Sequence, residues 1–345
     1  MKKFVIGIDI SKKSTDWCVM EGRQVLEQTK VDNSVDELAK ALRRMAKKHV
    51  MEHGEMMVCA EYTGKYIYPL TVACHNEGVF LWMENAYNIS CDAKRERGKN
   101  DSVDARRIAE YARKNQDEAR AYVLPDDKMA GLKSRLARRR DYSVERAKYL
   151  AKINDSKGFM SDSEYKEALK EWRATVRHFD KLIDKLEKEI SSIIQSNELL
   201  RRQDELLRSI PGIGETISRQ MIASTSAFKA FPDGRKYCCH VGSAPFAYTS
   251  GTSIHSCNRV SYRADKEMKR YLHMAALTAA TIQKSGIFVD YYQRKVAEGK
   301  NRMSVLNAVR AKLILTMFAV IRDNRPFDPN FNYFEEKIKI NLAKS

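Results

Sequence analysis

The sequence predicts an α/β domain at the N-terminus, a coiled-coil helical middle and a mainly α-helical C-terminal domain. Over about the first 125 residues, short apolar runs rich in β-branched residues alternate with helical patterns. Between residues 164 and 207, apolar residues instead recur at alternating spacings of four and three, which is typical of a coiled-coil helix. We therefore expect a catalytic α/β domain, a helical linker, a C-terminal domain and a tail at residues 1–125, 126–205, 206–330 and 331–345.

The strand and helix patterns of the N-terminal domain follow a recognisable order. We predict strands at Phe4–Ile10, 15–20, 24–31, Met56–Glu61 and 79–83, and helices at 35–49, 66–76 and 102–114. The first three strands would form an antiparallel meander. The order β-β-β-α-β-α-β-α is that of an RNase H-like domain, in which the first and fourth strands are neighbours.

The helical middle carries one sustained heptad pattern. Its apolar positions are Trp172, Val176, Phe179, Ile183, Leu186, Ile190 and Ile193. Because such a seam packs against another helix, one interpretation is an internal hairpin with the preceding basic helix. The other is a coiled coil between two copies of the chain, or a long arm that carries one domain across DNA. The sequence leaves both possibilities open.

The C-terminal part begins with a candidate helix-hairpin-helix turn, Ile210-Pro211-Gly212-Ile213-Gly214. Its glycines, Gly212 and Gly214, would let backbone amides face a phosphate at the start of the next helix. An ordinary Pro-Gly connector between helices would contain the same residues. A glycine- and serine-rich segment follows at 241–257, and further helices are predicted at 266–284 and 303–323.

The charge of the chain favours a polyanionic partner. It has 62 Lys and Arg residues against 45 Asp and Glu residues, a formal net charge of +17. Each phosphate that a basic protein neutralises releases counterions, which favours binding. Three consecutive residues on a predicted helix, Arg138, Arg139 and Arg140, are candidates for contacts with a nucleic-acid backbone. Charge alone is equally compatible with a basic protein that binds no nucleic acid.

The seven cysteines indicate a reducing compartment. Their number is odd and no two form a Cys-x-x-Cys pair, which argues against a disulfide framework and a zinc ribbon. The N-terminal residues reach Asp9 after a few apolar positions, so we expect no signal peptide. We also expect no later run that is long and apolar enough to span a bilayer. The expected location is the cytoplasm.

Four carboxylates occupy positions where a metal site would be built. Asp9 lies near the end of the first predicted strand and Glu61 ends the fourth, which would be its neighbour. Asp101 and Asp104 point to one face of the following helix. Each could simply be a charge at the end of a strand or helix. Together they would repel one another unless cations held them, and such oxygen ligands select Mg²⁺ or Mn²⁺. Two ions about 4 Å apart would clamp the attacking and leaving oxygens of a phosphoryl transfer.

Six motifs spread over nearly the whole chain match one known family. They are Gly7-Ile8-Asp9-Ile10-Ser11-Lys12, Glu61-Tyr62-Thr63-Gly64, Lys99-Asn100-Asp101-Ser102-Val103-Asp104-Ala105, Ile210-Pro211-Gly212-Ile213-Gly214, Gly242-Ser243-Ala244-Pro245 and Ser250-Gly251-Thr252. On these motifs the chain resembles the DEDD transposases of bacterial insertion sequences, which are related to Piv-type site-specific DNA invertases. The resemblance implies a RuvC-like N-terminal domain and a C-terminal transposase domain.

The resemblance also implies the partners. In this family, elements insert and excise through a circular intermediate, and a structured RNA encoded beside the gene pairs with both target and donor DNA. The expected partners are therefore donor and target DNA and a structured guide RNA, in the bacterial nucleoid. The heptad adds self-association, as a dimer or tetramer.

The family further implies a serine nucleophile in the C-terminal domain, for which Ser250 is the best match. A serine hydroxyl that attacks a phosphodiester conserves the bond energy in a phosphoserine, so strands can be rejoined without outside energy. Ser243, Ser253 and Ser256 lie close by in the sequence, and the choice among the four stays open.

Three basic residues, Arg259, Arg263 and Lys269, are expected from the same resemblance to contact phosphates. The chain departs from the family pattern at Asn100, where a threonine is usual, and at residues 263–266, which lack the usual glycine of a Lys-Arg-Gly element. We therefore expect these three residues to contact the nucleic-acid backbone and assign them no more specific role.

Three other functions fit parts of the sequence. A junction-resolving, RuvC-like endonuclease would use the four carboxylates alone and leave Ser250 as a turn residue. A sugar kinase or actin-like ATPase also begins with a Gly-x-Asp-x-Ser strand, but the sequence shows no later glycine-rich phosphate loop of that fold and is very basic. A non-enzymatic DNA-bridging protein would use the helix-hairpin-helix and coiled coil and leave the four acids unexplained.

Overall fold

The structure is a computed structural model that describes residues 2–92, 101–250, 254–261 and 264–329. It divides into two compact units, Met1–Leu124 and Pro125–Ser345. The strands of the first unit are β1 Phe4–Ile10, β2 Ser14–Glu21, β3 Gln24–Asp32, β4 Met56–Glu61 and β5 Phe80–Glu84. Its helices are α1 Val35–Lys48, α2 Tyr68–Asn76, α3 Ala86–Asp92 and α4 Asp101–Lys114.

The first unit is built on a mixed sheet in the order β3-β2-β1-β4-β5. β1 pairs antiparallel with β2 and parallel with β4, and β5 pairs parallel with β4. The predicted α/β domain is confirmed, and the first and fourth strands are neighbours, as in the RNase H-like order. Among the α-helices described in this unit, α3 alone was not predicted from the sequence.

Each face of this sheet carries its own apolar core. Ile6 and Ile8 of β1 pack on one face with Leu38 of α1. Val5 of β1 packs on the other face with Ile108 of α4. Because side chains alternate along a strand, the odd-numbered positions of β1 all face α4.

The second unit is mainly helical. Its helices are α5 Asp127–Asp155, α6 Asp162–Gln195, α7 Glu198–Arg208, α8 Glu215–Ser224, α9 Gly234–His240, α10 Lys266–Leu277, α11 Ile287–Ala297 and α12 Arg302–Arg322. A two-stranded antiparallel hairpin, β6 Pro245–Ser250 with β7 Ile254–Val260, is inserted between α9 and α10. One apolar core connects the base of α5 and α6 with the helices that follow.

Helices α5 and α6 pack against each other as a hairpin. The Phe179 ring of α6 lies between Tyr142 and Tyr149 of α5, with ring centroids 6.2 and 6.1 Å away. Leu186 and Ile190 of the heptad are buried in the same unit. The seam is therefore occupied within the chain, which is the first of its two interpretations, and self-association stays a prediction.

The structure differs from the sequence expectations at four places in the second unit. The segment rich in glycine and serine contains the β6–β7 hairpin, and α9 and α11 were not predicted. The helix expected at 266–284 ends at Leu277 and continues as a π-helical turn, Thr278–Ile282. Gly286, with φ of +128°, then separates this turn from α11.

Helix α12 corrects the expectation that no later run could span a bilayer. By length and composition alone it is long and apolar enough to do so. In the folded chain, 44% of its most apolar window is buried, and Val309, Leu313 and Met317 are fully enclosed. Burial in the core of the helical unit accounts for its apolar composition.

Candidate active site

Helix α4 lies directly on β1 because Gly7 has no side chain. A Cβ at Gly7 would stand 2.3 Å from both the carbonyl oxygen of Ala105 and the backbone nitrogen of Ala109. Further along α4, Ile108 packs with Val5 near the start of β1. The helix therefore runs antiparallel to β1, and its first turn lies over the end of that strand.

Asp9, Glu61 and Asp104 lie at the same end of the sheet. Ile8 pairs with Ala60 in parallel register, so Asp9 and Glu61 are the next residues on adjacent strands. Both project to the face that α4 covers, since they continue the odd-numbered alternation. Burial, and secondarily the negative charge of Asp104, raise the pKa of Glu61 above its ordinary value of 4.5. The helix thus brings a second carboxylate close to Glu61.

The fourth predicted ligand, Asp101, is the first residue of α4. Its side chain lies outside the described part of the structure, as does the basic loop at 94–100. Among the side chains that are described, no three His, Cys, Asp or Glu are grouped closely enough to hold a metal ion. Oδ1 of Asp104 accepts a hydrogen bond from Nη1 of Arg107 at 2.8 Å. Arg107 therefore supplies positive charge beside Asp104.

Two further acids extend this row across the sheet. Asp9 pairs in register with Asp16 on β2, and Glu61 pairs with Glu84 on β5. Neither residue was predicted from the sequence. Asp16 could have been found there, because it is an acidic residue within a largely apolar strand, next to the buried Thr15.

Both additional acids already have partners. Oδ2 of Asp16 lies 3.5 Å from Nζ of Lys30. Oε1 of Glu84 accepts a hydrogen bond from Nδ2 of Asn88 at 2.9 Å, and its Oε2 accepts one from the Tyr111 hydroxyl at 3.4 Å. Burial, followed by the charge of Glu84, raises the pKa of Tyr111 to about 12. Glu84 therefore anchors α4 rather than adding an unengaged ligand.

The turn between α7 and α8 holds two glycines that differ in their surroundings. Gly212 has φ of +86°, and a Cβ there would stand 2.7 Å from the carbonyl oxygen of Ala275 on α10. Gly214 caps the N-terminus of α8, and no described atom lies within 4 Å of the place its Cβ would take. Gly212 therefore serves the packing of the turn, and Gly214 is the one with open space for a ligand.

The arginine run on α5 is largely paired with carboxylates. Arg139 donates from Nε and Nη2 to Oε1 of Glu187 on α6, at 2.9 and 2.7 Å. Arg140 pairs with Glu267 on α10. Arg138 makes no ion pair within the described residues. Two of the three proposed backbone contacts thus stabilise the helical unit and would have to leave a carboxylate to reach a phosphate.

The candidate nucleophile Ser250 is the last residue of β6. The side chains of Ser250, Ser256 and Arg259 lie outside the described part of the structure, and so do Ser253 and Arg263 entirely. Ser243, just before β6, is fully buried. A DNA strand could not reach the Ser243 hydroxyl in this conformation, which argues against that alternative.

Two protein-family models match the chain. One, the DEDD transposase model for IS110, matches residues 6–156, and one described as "Transposase IS116/IS110/IS902 family" matches residues 204–293. The chain belongs to the IS110 family of DEDD transposases. Its members are transposases and DNA invertases, which are phosphoryl-transfer enzymes.

Individual proteins resemble the transposase to different extents. It is 27% identical over 334 residues to the pilin gene-inverting protein of Moraxella bovis, across 95% of this chain and 98% of that protein. It is 27% identical over 134 residues to the 44.8 kDa protein of insertion element IS116 from Streptomyces clavuligerus, across 38% and 33% of the two chains. RuvC of Thermus thermophilus in complex with a Holliday junction substrate matches with a TM-score of 0.27 and 14% identity, over 34% of this chain and 99% of RuvC.

Membership of this family implies DNA as a partner and the use of divalent metal. The residues of the transposase fit such a cofactor. Carboxylate oxygens are the ligands that Mg²⁺ and Mn²⁺ prefer, and burial, followed by the negative charge of Asp104, raises the pKa of Glu61. A divalent cation would relieve that repulsion.

Proposed function

We propose that this transposase cuts and rejoins DNA strands with two Mg²⁺ or Mn²⁺ ions and a serine nucleophile. Asp9, Glu61, Asp101 and Asp104 are the proposed ligands, and Ser250 is the proposed nucleophile. The observation that supports the proposal best is the approach of Glu61 and Asp104 at the end of β1, where Asp9 is the next register position. Acidic residues with a purely structural role are rarely buried unless they are paired, and no described ion pair involves Glu61.

The proposed chemistry is a balanced transesterification. The Ser250 oxygen forms a bond to phosphorus and loses its proton, while the bond from phosphorus to the leaving strand oxygen breaks and that oxygen gains a proton. Attack by the hydroxyl of another strand end reverses these changes and releases the serine. Ions bound by the four carboxylates would polarise the phosphate and stabilise charge on both oxygens.

We also propose that a structured RNA encoded beside the gene guides the enzyme to donor and target DNA. The net charge of +17 supports this, because it provides positive charge for two polyanions. Assembly into a dimer or tetramer in the bacterial cytoplasm, at the nucleoid, belongs to the same proposal. RNA that copurifies with the protein should be a discrete transcript of the flanking DNA.

Trapping of a covalent protein–DNA adduct tests the nucleophile. Wild-type protein, with element-end DNA and Mg²⁺, should yield an adduct that survives denaturing electrophoresis, and Ser250→Ala should not. Ser304→Ala, on the exposed start of α12, is the matched control and should behave as wild type. If wild type forms no adduct and Ser250→Ala still cuts and joins, the proposed serine mechanism is wrong. If Ser250→Ala cuts without joining and wild type forms no adduct, the enzyme is instead a RuvC-like endonuclease that uses the carboxylates alone.

A further inference from the structure

Arg310 of α12 is a buried guanidinium whose hydrogen bonds are incomplete. It is 7% exposed, and its Nη2 donates to Oδ1 of Asn307 at 2.8 Å. Its Nε has no hydrogen-bond partner among the described atoms, and no described carboxylate forms an ion pair with it. Burying a charge without a counter-charge is costly. A ligand that accepts hydrogen bonds would supply what the chain does not.

Two further nitrogen groups face Arg310 from α10. Lys269 and His273 are four residues apart, so they lie on the same face of this helix. Burial, and then the charge of Arg310, lower the pKa of both side chains. Lys269 and Arg310 therefore repel each other, which makes it less favourable to bury both charges. The lowered pKa of His273 favours its neutral form. We call Lys269, His273 and Arg310 the α10–α12 cluster.

The acids nearest to this cluster in the sequence are engaged elsewhere. Asp265 caps α10 by accepting hydrogen bonds from the backbone nitrogens of Glu267 and Met268, at 3.0 and 2.9 Å. Glu267 pairs with Arg140. No described carboxylate is thus left to compensate the cluster.

The segment that leads into β6 forms one wall of the cluster. Gly242 has φ of +63°, and a Cβ there would stand 3.4 Å from Nζ of Lys269. The Oγ of Ser243 is buried and has no described hydrogen-bond partner. The Ser243 carbonyl oxygen accepts a hydrogen bond from Nδ2 of Asn307 at 2.9 Å, which ties this segment to the residue that holds Arg310. The ammonium of Lys269, which has no described acceptor, and the guanidinium of Arg310, whose Nε has none, therefore lie near the start of the hairpin that carries Ser250.

We propose that the α10–α12 cluster binds one phosphate of a nucleic-acid backbone beside the start of the β6–β7 hairpin. Phosphate oxygens accept charge-assisted hydrogen bonds from guanidinium and ammonium groups. Binding would supply the counter-charge that Arg310 lacks. The identity of the ligand as nucleic acid rests on the proposed function, whereas the anion site rests on these contacts alone.

Thermal unfolding in inorganic phosphate tests the anion site without any recombination assay. At constant ionic strength, phosphate replacing chloride should raise the Tm of wild type, and Lys269→Gln and Arg310→Gln should lose most of that increase. Arg310→Lys should retain part of it. Arg270→Gln, an exposed neighbour on α10, is the matched control and should retain all of it. Lys269 is half-buried, so Lys269→Gln keeps the test decisive even where Arg310→Gln does not fold.

The salt dependence of oligonucleotide binding identifies the source of the phosphate. The slope in question is that of the logarithm of the binding constant against the logarithm of the salt concentration. Lys269→Gln should reduce its magnitude by about 1 for the ligand that Lys269 contacts, which is either DNA from the element ends or RNA transcribed from the flanking DNA. The slope for the other ligand should be unchanged. A phosphate-induced Tm increase that is equal in wild type and Lys269→Gln, with both slopes unchanged, would overturn the site. Failure to trap an adduct, with the phosphate effect intact, would overturn only the proposed function.

Discussion

Gly7 of β1 and Ala105 of α4 are so close that a Cβ on Gly7 would stand 2.3 Å from the Ala105 carbonyl oxygen. This contact sets the distance of α4 from the sheet, and with it the height of the first turn of α4 above Asp9 and Glu61. A helix displaced by even one methyl group would carry Asp101 and Asp104 away from the strand-end acids. The geometry of the proposed metal site therefore depends on residue 7 being a glycine.

Gly7→Ala should both destabilise the protein and reduce its activity. The added methyl group meets backbone atoms, which cannot move aside as a side chain can, so we expect a loss of about 1–3 kcal/mol or more in the free energy of unfolding. Urea denaturation measures the first effect and strand exchange the second. Gly54→Ala is the control, because no described atom lies within 4 Å of its Cβ position. Equal results for the two variants would contradict the close contact.

Each of the four carboxylates should be required for strand exchange. We expect Asp9→Asn, Glu61→Gln, Asp101→Asn and Asp104→Asn to lower the rate by about 10²–10³-fold or more, as expected for loss of a group that stabilises transition-state charge. RNA binding should be largely unchanged. Glu110→Gln is the control, since Glu110 lies on the same helix and pairs with Arg106. A variant that also loses RNA binding would indicate a folding defect instead.

The raised pKa of Glu61 predicts a specific dependence of stability on pH. Its folded pKa lies above its ordinary value of 4.5, so the protonated form is favoured by folding. This contribution is complete below about pH 4.5 and is lost as pH rises through the higher folded pKa. Without metal, Glu61→Gln should therefore be relatively more stable than wild type at neutral pH than at pH 4. Mg²⁺ should raise the Tm of wild type and leave Glu61→Gln nearly unchanged; the reverse order would refute the assignment.

The α5–α6 hairpin should be stabilised chiefly by its enclosed heptad residues. Leu186 is 2% exposed, so Leu186→Ala should lower the free energy of unfolding by about 2–4 kcal/mol. Leu150, on the same hairpin but 36% exposed, is the control, and Leu150→Ala should cost less than about 1 kcal/mol. Sedimentation of Ile183→Asp with Leu186→Asp then tests self-association. An unchanged oligomer would mean that this seam serves the hairpin alone.

Nucleic-acid binding should weaken steeply with salt. When the logarithm of the binding constant is plotted against the logarithm of the salt concentration, we expect a slope that corresponds to about six or more phosphates. The reason is that each contact with the nucleic-acid backbone releases counterions. Filter binding or fluorescence anisotropy over a range of salt concentrations measures this slope. A shallow slope would mean that the positive charge lies mostly outside the interface, in pairs such as Arg139 with Glu187.

Local patterns predicted the first unit well. β1 and β4 begin and end where expected because each is a short apolar run bounded by polar residues, and the parallel pairing of the two follows from their order. The strand-end positions of Asp9 and Glu61 could be predicted for the same reason. The position of Asp104 relative to Glu61 depends on Gly7, and that contact spans about 100 residues of sequence.

Features that depend on non-local partners could not be predicted. Arg139 and Arg140 looked available for nucleic acid, but their carboxylates come from α6 and α10. The β6–β7 hairpin was hidden by its glycine and serine content, since small polar residues carry little alternation. Arg310 was not considered, because a basic residue in an apolar helix shows its lack of a partner only after the helix is packed.

The length of the α5–α6 hairpin determines both how far its tip extends and in which direction the tip points. At about 1.5 Å per residue, the 34 residues of α6 extend about 50 Å, close to the length of fifteen base pairs of duplex DNA. Each residue added to or removed from such an arm turns its tip by about 100° as well as moving it. Matched deletions of seven residues in both helices would shorten the reach and keep its orientation, whereas deletions of five would point the tip elsewhere. A change in the length of this hairpin that preserves the direction of its tip is therefore expected to involve whole heptads.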